Sequence, residues 1–408
     1  MKNVKFAKCI LCGKEHEATP GVTTCTACGG ILEVVYDYGY IKSNASKEEI
    51  DGNPRDMWRY RPFLPVEKDS DTSSGLRVGW TPLYRAKNLG ALLGMDNLYI
   101  KDDGFNPTSS LKDRASAMAV VKASEAGADT IACSSTGNAA SSLAGNAAAR
   151  GFKTNIFVPK RAPQGKVSQL LIFGANVISV DGDYGDTFRL SADAIDRWGW
   201  YNRNAAINPY LSEGKKTVAL EIAEQLGWKA PDYLAISVGD GCTIAGVWKG
   251  FKDLYETGFI DNLPRLISVQ AEGCCPVNNA VDAGSETLEP MEENTLADSI
   301  AVGVPRNFLK AVRAIKESNG LTVNVSDQEI LDAMALVGRT QGVFGEPAGI
   351  AGGAGLVKAV KAGLIPADAT VVSVVTGNGL KDIVNAQKAV GSPPVVKPDM
   401  DELLKIMK

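Results

Sequence analysis

The sequence predicts an α/β protein, with two domains whose parallel-rich sheets are covered by helices and a small metal-binding unit in front. Three observations predict it. From residue 98 onward, short apolar runs alternate with helix-length segments, the pattern of parallel strands buried on both faces. Four of the eight cysteines stand in two close pairs within the first 28 residues. At 408 residues the chain exceeds what one compact core holds.

The N-terminal unit comes first. Cys9-x2-Cys12 and Cys25-x2-Cys28 are two hooks 12 residues apart. Each tight turn lets two thiolates meet one ion, and four soft ligands complete a tetrahedron suited to Zn²⁺ with no open position, a structural site. Iron in the same cage, or free thiols, stays open. His16 is the only histidine, so neither a histidine-centred triad nor a multi-histidine catalytic metal site can exist. Residues 41–80 carry few periodic signals, and NPRDMWRYRPFLP, with three prolines, reads as irregular chain wrapping a larger body.

The α/β pattern then begins. NLYIKDD, TIACSS, TNIFVP and NVISVDG read as strands, with helices over 110–127, NAASSLAGNAAARG and GKVSQLLIFG between them. A second series follows. YLAISVG, RLISVQAEG and ATVVSVVTGNG are strands; KKTVALEIAEQLG, IAGVWKGFKDLYETG, DQEILDAMALVGRTQG and AGGAGLVKAVKAGL are helices. A ligand cleft between two such domains is expected.

Composition narrows the partners. A net charge of −4 without a long basic run argues against nucleic acid. No apolar stretch reaches membrane-spanning length, and MKNVKFAKCI lacks a signal-peptide core, so a cytoplasmic protein with no membrane partner is expected. Adjacent Cys274 and Cys275 do not fit a secreted disulfide framework.

Four segments carry possible chemistry. In GFNPTSSLKDRAS a polar loop enters a helix at Lys112. The positive end of the helix dipole and burial both favour a neutral amine, able to condense with an aldehyde and act as a base. In CSSTGNAASS, residues Ser134 to Asn138 place hydroxyls and N–H groups at a helix start, a seat for a carboxylate. In SVGDGCTIAG, residues Gly239, Gly241, Cys242 and Thr243 can wrap a phosphate, although Asp240 would repel one unless it points away. In VVSVVTGNGLKD, the Thr376 hydroxyl ends a buried strand, where it can meet a ring nitrogen. Each segment alone also fits a bland reading: a solvated lysine, a helix cap, or a turn without a ligand.

Together, NPTSSLKDR, SSTGN, NPYLSEGKKT, PRLISVQAEG, GEPAG and VVTGNGLKD resemble, in order over roughly residues 75–385, threonine synthase of the fold-type II pyridoxal phosphate (PLP) enzymes. The resemblance implies a ribbon over 1–40, a large PLP domain from 41–125 and 211–408, and a small domain over 126–210. It implies that Lys112 is the Schiff-base lysine, that Asn138 bonds the cofactor's 3′-oxygen, and that Gly239, Asp240, Gly241, Cys242 and Thr243 form its phosphate cup. Thr376 then faces the pyridine nitrogen, while Ser135, Thr136 and Lys166 bind the amino-acid substrate. It further implies a homodimer and conversion of O-phosphohomoserine and water to threonine and phosphate. Two positions depart from the family: Ala206 stands where it carries serine and Leu211 where it carries arginine. Lys160 and Arg161 are then candidates for the missing charge. A PLP enzyme eliminating or replacing a different β-substituent, and a non-enzymatic zinc-ribbon binding protein, remain the alternatives.

Overall fold

The structure, a computed structural model, describes residues 1–162, 164–204 and 206–407. The larger sheet runs Leu321–Val325, Arg265–Ala271, Tyr233–Ser237, Val371–Val375, Leu98–Asp102 and Leu83–Arg85 in spatial order. All neighbours are parallel except the last pair, which is antiparallel. Tyr233–Ser237 and Val371–Val375 are buried along their whole length. That burial on both faces is why these runs are uniformly apolar and show no alternation.

A second, fully parallel sheet runs Asn176–Val180, Lys153–Pro159, Thr130–Ser134 and Tyr201–Asn202. The Lys112 helix (Lys112–Glu125) packs between the two sheets' helical layers, against Asn138–Ala148 on one side and Tyr210–Lys215 on the other. Its alanines and serines, with Ala115, Ser116, Ala119 and Ala123 fully buried, permit that close approach.

The N-terminal strands Glu15–His16, Val4–Cys9 and Leu32–Tyr36 form an antiparallel ribbon. It is joined to the body by side chains. Tyr36 donates to Glu213 at 2.6 Å, Tyr210 donates to the Thr19 carbonyl at 2.8 Å, and Lys310 donates to the Leu32 carbonyl at 2.7 Å.

Several elements differ from the sequence reading, among them the short helices Lys87–Leu93, Phe308–Glu317 and Ile383–Val390, and three features show why. The proline-bearing segment forms 3-10 turns over Met57–Phe63 and is not wrapping: Met57, Arg59, Tyr60 and Phe63 are buried. Phe63 meets Phe259 edge-on at 5.2 Å between ring centroids. Full burial of such a side chain stabilises by about 1.5–3 kcal/mol, enough to draw an aperiodic segment into the core. The helix Tyr184–Trp198 was not anticipated, although Asp183 and Asp186 close a capping box at its start. The strand Leu321–Val325 was also not anticipated. It is the edge of its sheet and only two of its five residues are buried.

Candidate active site

Parallel strands end together, and the site forms at their carboxyl ends. Lys112 lies at the first position of its helix. The two residues after it are buried and held. Asp113 accepts from the Thr108 N–H at 3.0 Å, from the Thr108 hydroxyl at 2.9 Å and from Asn146 at 2.7 Å, which pins the loop before Lys112. Arg114 donates to Asp103 through Nε at 2.7 Å and to Glu221 through Nη1 at 2.5 Å. The loop is also stitched to the Thr376 strand: the Leu111 N–H donates to the Thr376 carbonyl at 2.8 Å, and the Asn378 N–H to the Ser109 carbonyl at 3.1 Å. Lys112 has no hydrogen-bond partner among the described residues. Burial, then Lys215, lowers its pKa to about 8.

Asn138 begins its helix and donates through Nδ2 to Glu346 at 2.5 Å. Glu346 was quoted in the sequence as part of GEPAG but given no role. It is buried, and burial pushes its carboxyl upward. Glu346 also packs against the turn after Thr376, because a Cβ built on Gly377 would lie 2.2 Å from its Oε1. Asn138, Glu346 and Gly377 thus meet beside the loop that leads into Lys112, and the Glu346 charge acts on the Lys112 amine. Ser135 accepts from the Gly137 N–H at 3.2 Å, and Thr136 stands beside it, half-buried.

The Gly239–Thr243 turn feeds the helix Cys242–Glu256. Gly241 has φ +83°, and a Cβ there would lie 2.8 Å from the Asn307 carbonyl, so only glycine fits. The Asp240 carboxylate is turned toward a neighbouring loop and accepts from the Arg306 N–H at 2.7 Å. The first-turn N–H groups of that helix have no intrahelical acceptor.

Other expected site residues fall further out. Lys166 pairs with Asp298 at 2.6 Å and links the small-domain helix Gln164–Ile172 to the 298–300 segment beside Gly239. Lys160 forms an exposed pair with Asp181 at 3.1 Å, and Arg161 is exposed. Neither is brought to Lys112. Leu211 is 1% exposed and packs in the small-domain core. A charged side chain there would be buried in apolar contacts.

Two buried cations escaped the sequence reading. Arg203 is 1% exposed, donates to the Ser116 hydroxyl at 3.1 Å through Nε and 3.0 Å through Nη2, and has no ion-pair partner among the described residues. Lys215 is 3% exposed and likewise has none. Both act on the electrostatics of Lys112. Helical phase could have separated Lys215 from Lys216, which faces the ribbon, but nothing local marks Arg203.

The residues around Lys112 fit a phosphorylated pyridine aldehyde. They offer one amine of depressed pKa, a glycine turn at a helix N-terminus, and buried hydroxyls on Ser110 and Ser134 that lack a hydrogen-bond partner among the described residues.

Comparison with known proteins agrees. The pyridoxal-phosphate dependent enzyme family matches residues 75–377. The chain belongs to this family of PLP-dependent enzymes. Threonine synthase of Methanocaldococcus jannaschii is 39% identical over 98% of this chain and 99% of its own. Threonine synthase of Mycobacterium tuberculosis (strain H37Rv) is 39% identical over 83% and 92%. Among solved structures, threonine deaminase isoform 2 from Solanum lycopersicum superposes with TM-score 0.66 at 20% identity, covering 83% of this chain and 95% of that one. Maize serine racemase gives 0.63 at 23%, covering 73% and 88%. These two share the fold of this PLP-dependent family.

In the N-terminal ribbon the four cysteine sulfurs lie within 4.8 Å of one another. Such a tetrathiol cluster suits a tetrahedral soft ion.

Proposed function

We propose that the chain is a threonine synthase converting O-phosphohomoserine and water to threonine and phosphate. The observation that carries this reading is 39% identity to a threonine synthase over nearly the full length of both chains. The buried cations Arg203 and Lys215 beside Lys112 support an anionic substrate and cofactor.

Bound PLP supplies an aldehyde that captures amines and a ring that draws electrons from the substrate's α-carbon. Lys112 would hold it covalently through its amine, and the same amine would take the substrate's α-proton. Its depressed pKa makes it a base near neutral pH. Asn138, oriented by Glu346, holds the ring's oxygen. Thr376 faces the ring nitrogen as a neutral partner. Gly239, Asp240, Gly241, Cys242 and Thr243 form the phosphate cup, with Asp240 contributing backbone. Ser135 and Thr136 seat the substrate carboxylate at a helix start. Lys166 closes over the substrate, with Lys160 and Arg161 at the cleft's outer rim. Cys9, Cys12, Cys25 and Cys28 hold Zn²⁺ in a closed structural site.

Among the described residues no helix is long and apolar enough to cross a membrane. We place the protein in the cytoplasm as a homodimer acting on a small amino acid, without nucleic acid.

A second reading is favoured by Leu211 and Ala206: elimination or replacement at Cβ of a substrate without a phosphate. One assay separates the two. PLP-loaded protein should release phosphate from O-phosphohomoserine with an equal yield of threonine. Turnover of only unphosphorylated amino acids would reject the first reading.

A further inference from the structure

The phosphate cup contains an apparent contradiction. A helix N-terminus and a glycine turn attract a dianion, yet the loop carries a carboxylate at Asp240. Turning its oxygens to the Arg306 N–H (2.7 Å) and the Cys242 thiol (3.7 Å) hydrogen-bonds the charge but does not remove it.

The compensating charge comes from the helix Tyr210–Lys215. That helix is wedged between the Lys112 helix and the Cys242 helix. It divides its charged residues between two sides. Glu213 and Lys216 pair with each other at 2.7 Å on the ribbon side, where Glu213 also receives Tyr36 and Lys249, and Lys216 pairs with Asp253 at 2.6 Å. Lys215 belongs to neither pair. It lies over the second turn of the Cys242 helix: a Cβ on Gly246 would stand 3.5 Å from the Lys215 Cβ. Its charge acts on Lys112, Asp240 and Cys242. No carboxylate lies within salt-bridge distance of it among the described residues. A buried ammonium without a counterion is costly, so a cup built this way awaits an anion.

We propose that Lys215 is the cationic partner of the cofactor's phosphate group, offsetting Asp240 in the loop that cups it. The inference rests on the assignment to the PLP-dependent family. It adds a residue outside the glycine loop to the cofactor site, and it explains how a loop with a carboxylate binds a dianion.

The test compares PLP with pyridoxal, the same aldehyde without phosphate, for binding to apoprotein by absorbance titration. Lys215→Gln should weaken PLP relative to pyridoxal by roughly tenfold to a hundredfold, the value of one charge-assisted contact; any effect of Lys215 on the Lys112 amine is common to both aldehydes and cancels in that ratio. Asp240→Asn, with Lys215 intact, should tighten PLP alone; this arm stands even if Lys215→Gln fails to fold. Parallel weakening of both aldehydes in Lys215→Gln, or no change in either variant, overturns the proposal. If wild-type protein captures neither aldehyde, the family assignment itself is contradicted, an outcome distinct from a cup that binds PLP without help from Lys215.

Discussion

At the head of its helix, Lys112 is flanked by residues already engaged: Asp113 by Thr108 and Asn146, and Arg114 by Asp103 and Glu221. The Lys112 amine has no hydrogen-bond partner among the described residues, and its pKa is lowered from 10.5 to about 8 by burial and by Lys215. Only the neutral amine attacks an aldehyde. Covalent capture of PLP by apoprotein should therefore speed up with pH, about tenfold per unit at low pH, and level off above about 8. Stopped-flow absorbance checks it, and a flat profile between pH 6 and 9 would contradict it. The stability sign follows from the same shift. The unfolded chain binds more protons between about 8 and 10.5, so the Lys112 contribution improves as pH rises through that window. Lys112→Met apoprotein should thus be more stable than wild type at pH 7, by a margin that shrinks toward pH 10.5, as read by urea unfolding.

Elements hold this geometry through one buried network. Glu221, on the helix Thr217–Gln225, accepts from Arg114 at 2.5 Å, from Lys101 at 2.7 Å, and from the Trp80 N–H at 2.7 Å. It ties the Lys112 helix to the central strand that carries Lys101. Burial alone would raise its carboxyl; Arg114 and Lys101 bring it down to about 2. Its contribution is therefore full above about 4.5 and is lost as pH falls toward 2. Glu221→Gln leaves two buried cations sharing Asp103, and should cost roughly 3–5 kcal/mol in denaturant unfolding. A loss below 1 kcal/mol would contradict the network's role. Element boundaries were legible where periodicity was strong: TIACSS, YLAISVG and ATVVSVVTGNG all form central strands. Tyr184–Trp198 was missed because its cap uses Asp186 where a glutamate or glutamine signals a capping box. Leu321–Val325 was missed because an edge strand is only half apolar in pattern.

Over the whole molecule, the site was legible as motifs but not as electrostatics. Lys112, Asn138, Thr376 and the glycine turn each stand in a local run of unusual composition. Arg203, Lys215 and Glu346 are set apart by burial, and burial is set by helices that meet only in three dimensions. The same helix, Tyr210–Lys215, sets Lys215 against the Cys242 helix and turns Glu213 to the ribbon, where Tyr36 reaches it at 2.6 Å. Ribbon and catalytic body therefore share a wall. Where the four cysteines hold the proposed metal, removing it with a strong chelator should lower the thermal unfolding midpoint, because metal-binding free energy is folding free energy. It should leave covalently held PLP in place. Calorimetry with and without chelator, with the cofactor's visible band as the second readout, checks both halves. An unchanged midpoint in a protein shown to contain one metal per chain would contradict the structural role.

The central claim is that one amine, at residue 112, carries the cofactor. Borohydride reduction of the PLP-loaded protein followed by peptide mass spectrometry tests it most directly. The account predicts a single phosphopyridoxyl mass increment on the peptide containing Lys112, absent from Lys112→Ala protein that is folded by circular dichroism. An increment on another lysine, or none in protein saturated with PLP, would contradict it.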